Sequence, residues 1–282
     1  EKIPAEKNTF GKGSGNSDRS QNKRDHVKAP GEYAKIMLPE LTFPYLIPGQ
    51  EVLLDDGKIH LKIVEKAENV AENGGENTQG KRYFAKVLWG GLLKSRKSAA
   101  LPGAKIYPPT LTNSDLANIK IAKEMGVTGV MQPFVRDHSD LECVKEALRE
   151  AGAEDIRLFA KIENMDGVRK LEELLPAADE IVIARGDLGN AVHLWDLPGV
   201  QRQISEKCRA AGKPFMVVTQ MLASMERSPV PTRAEVNDIF HAVMDGAASI
   251  MVTGETAVGD YPVEVVRYMV NTVRSAEKEE NR

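Results

Sequence analysis

Five short, almost uninterrupted apolar runs recur in the second part of the chain, and each leads into a segment with helical character. They are Val127 to Phe134, the run from Ile156 that carries Ala160-Lys161-Ile162-Glu163, Glu180 to Ala184, Pro214 to Gln220, and Ala248 to Thr253. Their spacing is roughly 25 to 35 residues, the length of one strand–helix unit. A strand that is apolar at nearly every position is covered on both faces, so these runs predict a parallel sheet wrapped by helices. The period suits a (β/α)8 barrel, but a closed barrel needs eight units in ~250 residues. Five units over about 155 residues predict a partial barrel or an open sheet.

The helices between the runs carry start and stop signals. Asn113 is read as the cap of a helix to Glu124, ended by Gly126. Ser139-x-x-Glu142 reads as a capping box for a helix to Ala151, and Thr232-x-x-Glu235 as another for a helix to Asp245. Val168 to Leu175, Pro198 to Ala211, and Pro262 to about Glu277 complete the set.

The first part reads differently. Residues 1–32 are polar and rich in Gly and Ser, a composition that cannot bury a core, so a flexible segment is expected. Its Gly11-x-Gly13-x-Gly15 lacks the preceding strand and following helix of a phosphate loop. Residues 33–100 read as a small all-β module. Gln50 to Leu54, a turn at Asp55-Asp56-Gly57-Lys58, and Ile59 to Val64 form a hairpin, and Tyr83 to Trp89 is a third strand after a polar loop from Glu68 to Gly80. Residues 101–282 hold the strand–helix units. A net charge of −3 gives no reason to expect nucleic acid or an anionic membrane as partner. Two cysteines, Cys143 and Cys208, in helical runs fit a reducing compartment rather than a disulfide framework. No run has transmembrane length, and no signal peptide opens the chain. The first residue is Glu, which suggests a processed or partial chain.

In a parallel α/β sheet the C-terminal strand ends gather on one face, where chemistry is placed. Strand alternation puts Lys161 and Glu163 on the same side. Around them the pattern delivers Phe134 and Arg136, then Arg185, Gly186 and Asp187, then Thr219 and Gln220, then Thr253, Gly254 and Glu255. Glu163 and Asp187 offer two hard ligands for Mg²⁺ or Mn²⁺ with positions left open for substrate oxygens. Lys161 can stabilise charge on a transferring phosphoryl group, the amides of Gly186 and Asp187 can hold a carboxylate, and Thr219 can relay a proton. Plainer readings stand beside these: Lys161–Glu163 as a strand-end salt bridge, Arg185 paired with Asp187, Thr219 as an ordinary β-branched strand residue, Thr253 as a turn cap, and Gly186 and Gly254 as turn glycines.

Five motifs in series resemble pyruvate kinase: Ala160-Lys161-Ile162-Glu163-Asn164; Ala184-Arg185-Gly186-Asp187-Leu188-Gly189; Gly212-Lys213-Pro214 before Thr219-Gln220-Met221-Leu222-x-Ser224-Met225; Pro231-Thr232-Arg233-Ala234-Glu235; and Gly254-Glu255-Thr256-Ala257-x-Gly259-Asp260-Tyr261-Pro262. Asp55-Asp56-Gly57 and Ser95-Arg96-Lys97 before Leu101-Pro102-Gly103 resemble the lid domain that this family inserts into its barrel. The resemblance implies a partial (β/α)8 barrel with an inserted all-β lid, and transfer of a phosphoryl group between phosphoenolpyruvate and ADP to give pyruvate and ATP. It implies Lys161 and Thr219 as catalytic residues, Lys161, Gly186, Asp187 and Thr219 at the substrate, Glu163 and Asp187 on Mg²⁺ or Mn²⁺, and Lys97 at the nucleotide. It further implies K⁺, whose ligands lie in barrel strands without a counterpart here, a cytoplasmic location, and a homotetramer for a full-length chain. Three departures stand out. The first three barrel strands and the C-terminal domain of the family have no counterpart, and Gln132-Pro133-Phe134 replaces a small polar residue plus Phe. Hence 282 residues alone are expected to be poorly stable or inactive. The alternatives are a degenerate copy that binds ligand without turnover, or a Mg²⁺-dependent enolate-forming lyase.

Overall fold

A computed structural model describes residues 34–55, 57–67, 82–95 and 97–280. The chain divides into two compact units at Ile106/Tyr107. The segment 1–32, Asp56 of the hairpin turn and the polar loop Glu68 to Gly80 lie outside the described residues.

The first unit holds a four-stranded antiparallel sheet of order β3-β2-β1-β4. Its strands are β1 (Glu51–Leu54), β2 (Ile59–Lys66), β3 (Tyr83–Trp89) and the short β4 (Ala99–Ala100). The hairpin register sets Leu54 opposite Ile59 and Val52 opposite Leu61. Alternation then turns Val52, Leu54, Ile59, Leu61 and Ile63 to one side, where Leu46 and Leu101 close a small core. Two elements escaped the sequence reading: β4, only two residues long, and a 3-10 helix at Glu40–Tyr45 that contains Pro44.

In the second unit β5 (Gly129–Gln132), β6 (Arg157–Ile162), β7 (Glu180–Ala184), β8 (Phe215–Val218) and β9 (Ser249–Met251) form a parallel sheet whose strand order is their chain order. The helices are α1 (Asn113–Ala122), α2 (His138–Glu150), α3 (Met165–Arg169), α4 (Leu171–Leu174), α5 (Arg185–Ala191), α6 (Leu197–Ala210), α7 (Arg233–Met244), α8 (Gly254–Ala257) and α9 (Pro262–Glu280). One sheet face sends Leu158, Ala160, Ile162, Ile181, Ile183, Phe215 and Val217 against Leu141, Leu148, Leu174, Ile204 and Ile239 of the helices. The other face carries a separate apolar cluster of Val182, Ala184 and Val218, with Phe159, Met216 and Met251 against it. Every residue of β7 is buried, as its continuous apolar run predicts.

Several boundaries move. The cap of α1 is Thr112, not Asn113. Its hydroxyl accepts from the Asp115 amide, while the Asp115 carboxylate accepts from the Thr112 amide, a reciprocal pair that Asn113 cannot make one position later. Asp137 caps α2 in place of Ser139, and Glu142 instead faces Lys145. The run from Val168 to Leu175 is two short helices broken at Lys170, the first capped by Asn164. Thr232 and Glu235 form the capping box that their spacing predicts.

Candidate active site

At the C-terminal end of β6 the Lys161 ammonium lies 2.7 Å from Glu163 Oε1. Lys161 sits in register with Val182 of β7, on the sheet face away from the α2, α4 and α6 packing. Glu163 is 4% exposed. Its second oxygen, Oε2, accepts the Phe134 amide at 2.8 Å. That amide is aimed by a turn after β5 in which Phe134 adopts φ +53°, a left-handed conformation. Asn164 fastens the same turn. Its Nδ2 donates to the Val135 carbonyl at 3.1 Å while its Oδ1 caps the Gly167 amide at 2.9 Å. A side chain at Gly167 would meet the Val135 carbonyl at 2.5 Å, so glycine permits this close approach.

β7 passes straight into α5. The plainer reading of Gly186 as a turn glycine does not hold, because Arg185–Ala191 is helical, with Leu188 fully buried. Gly186 and Asp187 therefore occupy a first helical turn, where backbone N–H groups have no partner within the helix. Gly186 abuts the next strand exit: a Cβ there would stand 3.1 Å from Thr219 Cγ2. Thr219 is not a strand residue. β8 stops at Val218, and Thr219 and Gln220 take φ +85° and +55°. A left-handed β-branched residue is a genuine outlier.

The Arg185 guanidinium is engaged by the Thr219 carbonyl and by Asp238. Its Nε and Nη2 donate to the Thr219 carbonyl at 3.2 and 2.7 Å, and Nη1 reaches Asp238 of α7 at 2.8 Å. Arg136, expected among the strand-end groups, is turned to Asp140 at 2.9 Å from Nε and 2.5 Å from Nη2. Burial pushes the Asp140 carboxyl upward, but hydrogen bonds from Arg136 and Thr110 outweigh it and hold the group below the usual range. After β9, Glu255 is 1% exposed and accepts the Thr253 amide at 2.8 Å, so Thr253 is the capped group rather than the cap. Lys97 belongs to the first unit, paired with Asp55 at 2.8 Å, beside a cavity of about 430 Å³ also lined by Lys35 and Lys94.

Glu163 and Asp187 are oxygen donors of the kind a hard divalent cation takes. Among the described residues there is no cluster of three or more acidic, His or Cys side chains that would cage a metal by itself. Glu163 keeps unshared lone pairs on both oxygens, and Asp187 lies in the helical turn that follows the neighbouring strand β7.

The barrel-domain model of the pyruvate kinase family matches residues 22–266. The chain belongs to the pyruvate kinase family. Curated pyruvate kinases from Bacillus licheniformis (39% identical over 230 residues, 82% of this chain and 38% of the relative), Geobacillus stearothermophilus (40% over 233 residues, 81% and 38%) and Chlamydia trachomatis serovar D (35% over 242 residues, 86% and 47%) are similar to it. The chain thus spans less than half the length of these relatives. The α/β class and the parallel strand–helix series agree with part of a pyruvate kinase barrel preceded by an all-β module. Among the described residues no helix is long and apolar enough to cross a membrane.

Sequence reasoning missed the Arg185–Asp238 contact and the Phe134 amide on Glu163. Both join residues far apart in the chain, and neither leaves a local signature.

Proposed function

We propose that this chain carries the phosphoryl-transfer centre of a pyruvate kinase, acting between phosphoenolpyruvate and ADP. The observation that carries the reading is the buried Glu163, bound at once to Lys161 and to the Phe134 amide, at the end of a strand whose neighbour β7 runs into the turn bearing Asp187. The burial of Glu163 beside an ammonium at a strand end supports a site reading over a surface salt bridge.

In the proposed reaction the enol-ester O–P bond of phosphoenolpyruvate breaks, and a β-phosphate oxygen of ADP takes the phosphoryl group. Lys161 offsets charge on the transferring group. Glu163 and Asp187 would hold Mg²⁺ or Mn²⁺, which would supply charge neutralisation for the transfer. The first-turn amides of Gly186 and Asp187, with the Thr219 hydroxyl, receive the substrate carboxylate. The enolate left behind takes a proton at its methylene carbon, and Thr219 relays it through water. Lys97 serves the nucleotide phosphates. K⁺, a homotetrameric assembly and a cytoplasmic location belong to the same proposal and rest on family membership.

The test is ADP-dependent pyruvate formation by the natural full-length protein with Mg²⁺ and K⁺, coupled to NADH oxidation. Lys161→Met is expected to lower kcat by at least about 10²-fold, the cost of removing one preorganised electrostatic group. Wild-type protein without ADP-dependent turnover, or a Lys161→Met protein with normal kcat, sinks the proposal.

A further inference from the structure

We infer that Arg185 is a positioning residue that holds Thr219 in its left-handed conformation, with Asp238 as its anchor. The inference rests on the functional reading above, because it concerns the geometry of the proposed proton relay.

The argument begins with the backbone. Thr219 at φ +85° and Gln220 at φ +55° form two consecutive left-handed residues directly after β8. Neither is glycine, and Thr is β-branched, so the local sequence disfavours the conformation it adopts. Something outside the segment must hold it. The Thr219 carbonyl is gripped by two donors of one guanidinium, Nε at 3.2 Å and Nη2 at 2.7 Å. Nη2 also touches Met221 Sδ at 2.8 Å. The far side of the guanidinium is fixed by Asp238, whose two carboxylate oxygens both lie 2.8 Å from Nη1. Arg185 is largely buried, its side chain 13% exposed. A planar fork of fixed geometry can satisfy a carbonyl on one edge and a carboxylate on the other; a lysine ammonium cannot.

The placement gives the fork a second consequence. Arg185 opens the helical turn that also contains Gly186 and Asp187. Gripping Thr219 therefore ties the exit of β7 to the exit of β8, and the missing Cβ of Gly186 lets Thr219 Cγ2 approach. One side chain sets where the Thr219 hydroxyl stands against the helical turn that bears Asp187.

The experiment uses the natural full-length protein and two readouts: steady-state pyruvate formation, and exchange of the pyruvate methyl protons with D₂O followed by NMR. Arg185→Lys keeps the charge but loses the fork. Its kcat and its exchange rate are expected to fall by about 30- to 100-fold, the scale of an ångström-level misplacement, with KM for phosphoenolpyruvate within about threefold of wild type. Asp238→Asn, a partly exposed change that leaves the Thr219 contact in place, is expected to lower both rates by roughly a tenth of that factor. Thr219→Ala combined with Arg185→Lys is expected to be no slower than Thr219→Ala alone, because Arg185 acts through Thr219. Additive losses in that double variant, or an Arg185→Lys protein with wild-type exchange, overturn the inference. If Arg185→Lys fails to fold, the Asp238→Asn and Thr219→Ala pair decides by the same additivity criterion. A wild-type protein that forms no pyruvate refutes the functional reading itself and is a separate result.

Discussion

Replacing Glu235 by alanine removes a carboxylate that serves two structures at once. One oxygen, Oε2, accepts the Thr232 amide at 2.8 Å and the Thr232 hydroxyl at 2.8 Å, and closes the capping box of α7. The carboxylate also accepts the Ser224 amide at 2.7 Å and the Ser224 hydroxyl at 2.6 Å, and so pins the 3-10 helix Ala223–Glu226 that follows the Thr219 turn. The cap is exposed and contributes about 1 kcal/mol. The two half-buried bonds to Ser224 add about 1 kcal/mol each. The loss expected for Glu235→Ala is therefore about 2–3 kcal/mol, and for Glu235→Gln, which keeps one acceptor oxygen, about half of that. All α-helices of the described residues belong to the second unit, so ellipticity at 222 nm reports on the unit that holds Glu235. In urea the Glu235→Ala midpoint should fall by about 1 M. Acidity offers an internal control. Burial pushes the Glu235 carboxyl upward, but hydrogen bonds from Ser224 and Thr232 outweigh it and hold the group below its ordinary 4.5. A depressed carboxylate stabilises the fold above its unfolded pKa, and the contribution fades as pH falls through the folded value. The gap between wild type and Glu235→Gln should hold steady from pH 7 down to about 5 and narrow towards pH 3. A midpoint shift below about 0.2 M for Glu235→Ala, or a gap that widens in acid, refutes this account.

Three further outcomes are expected. Asp187→Asn should raise the Mn²⁺ concentration for half-saturation by at least about tenfold, read from the free-ion EPR signal, and an unchanged value removes Asp187 from the metal. Gly259→Ala would place a methyl group 2.2 Å from the Glu255 carbonyl oxygen and 3.2 Å from Glu226 Cα. That overpacking should cost about 1–3 kcal/mol, measured by thermal melting. Cys143 is exposed and Cys208 is buried, with its thiol pushed up to about 12 by burial, so a thiol reagent should label one cysteine in the native protein and both only after denaturation.

What the sequence disclosed follows the range of the forces involved. The strand series was legible because burial on two faces imprints itself residue by residue, as in Glu180–Ala184. Thr232 and Glu235 were legible because a capping box is a contact across three residues. The cap of α1 went to the wrong neighbour because Thr112 and Asn113 are both capping types, and only the reach of the Asp115 carboxylate chooses between them. Gly186 and Gly189 lower the helical propensity of Arg185–Ala191, but the core site filled by Leu188 overrides it. Of the proposed site, Lys161 and Glu163 on one side were legible from alternation along β6, although the strand stops at Ile162 and the Phe134 amide also holds Glu163. The turn that sends Thr219 out of its strand was not legible, since its cause is a guanidinium 34 residues away, itself anchored 53 residues further along.

The order of the parallel sheet bears on how the chain assembles. Each of its four ladders joins strands that are consecutive in the chain, from β5–β6 to β8–β9. No pairing therefore requires closing a loop longer than one strand–helix unit, and the entropic cost of each step is nearly the same as that of the last. A sheet ordered in this way can grow in the direction of synthesis, each unit docking on the edge left by its predecessor as it leaves the ribosome. β5 becomes a template as soon as β6 emerges, and the strand exits that bear Lys161, Asp187 and Thr219 are laid down in sequence along one growing edge.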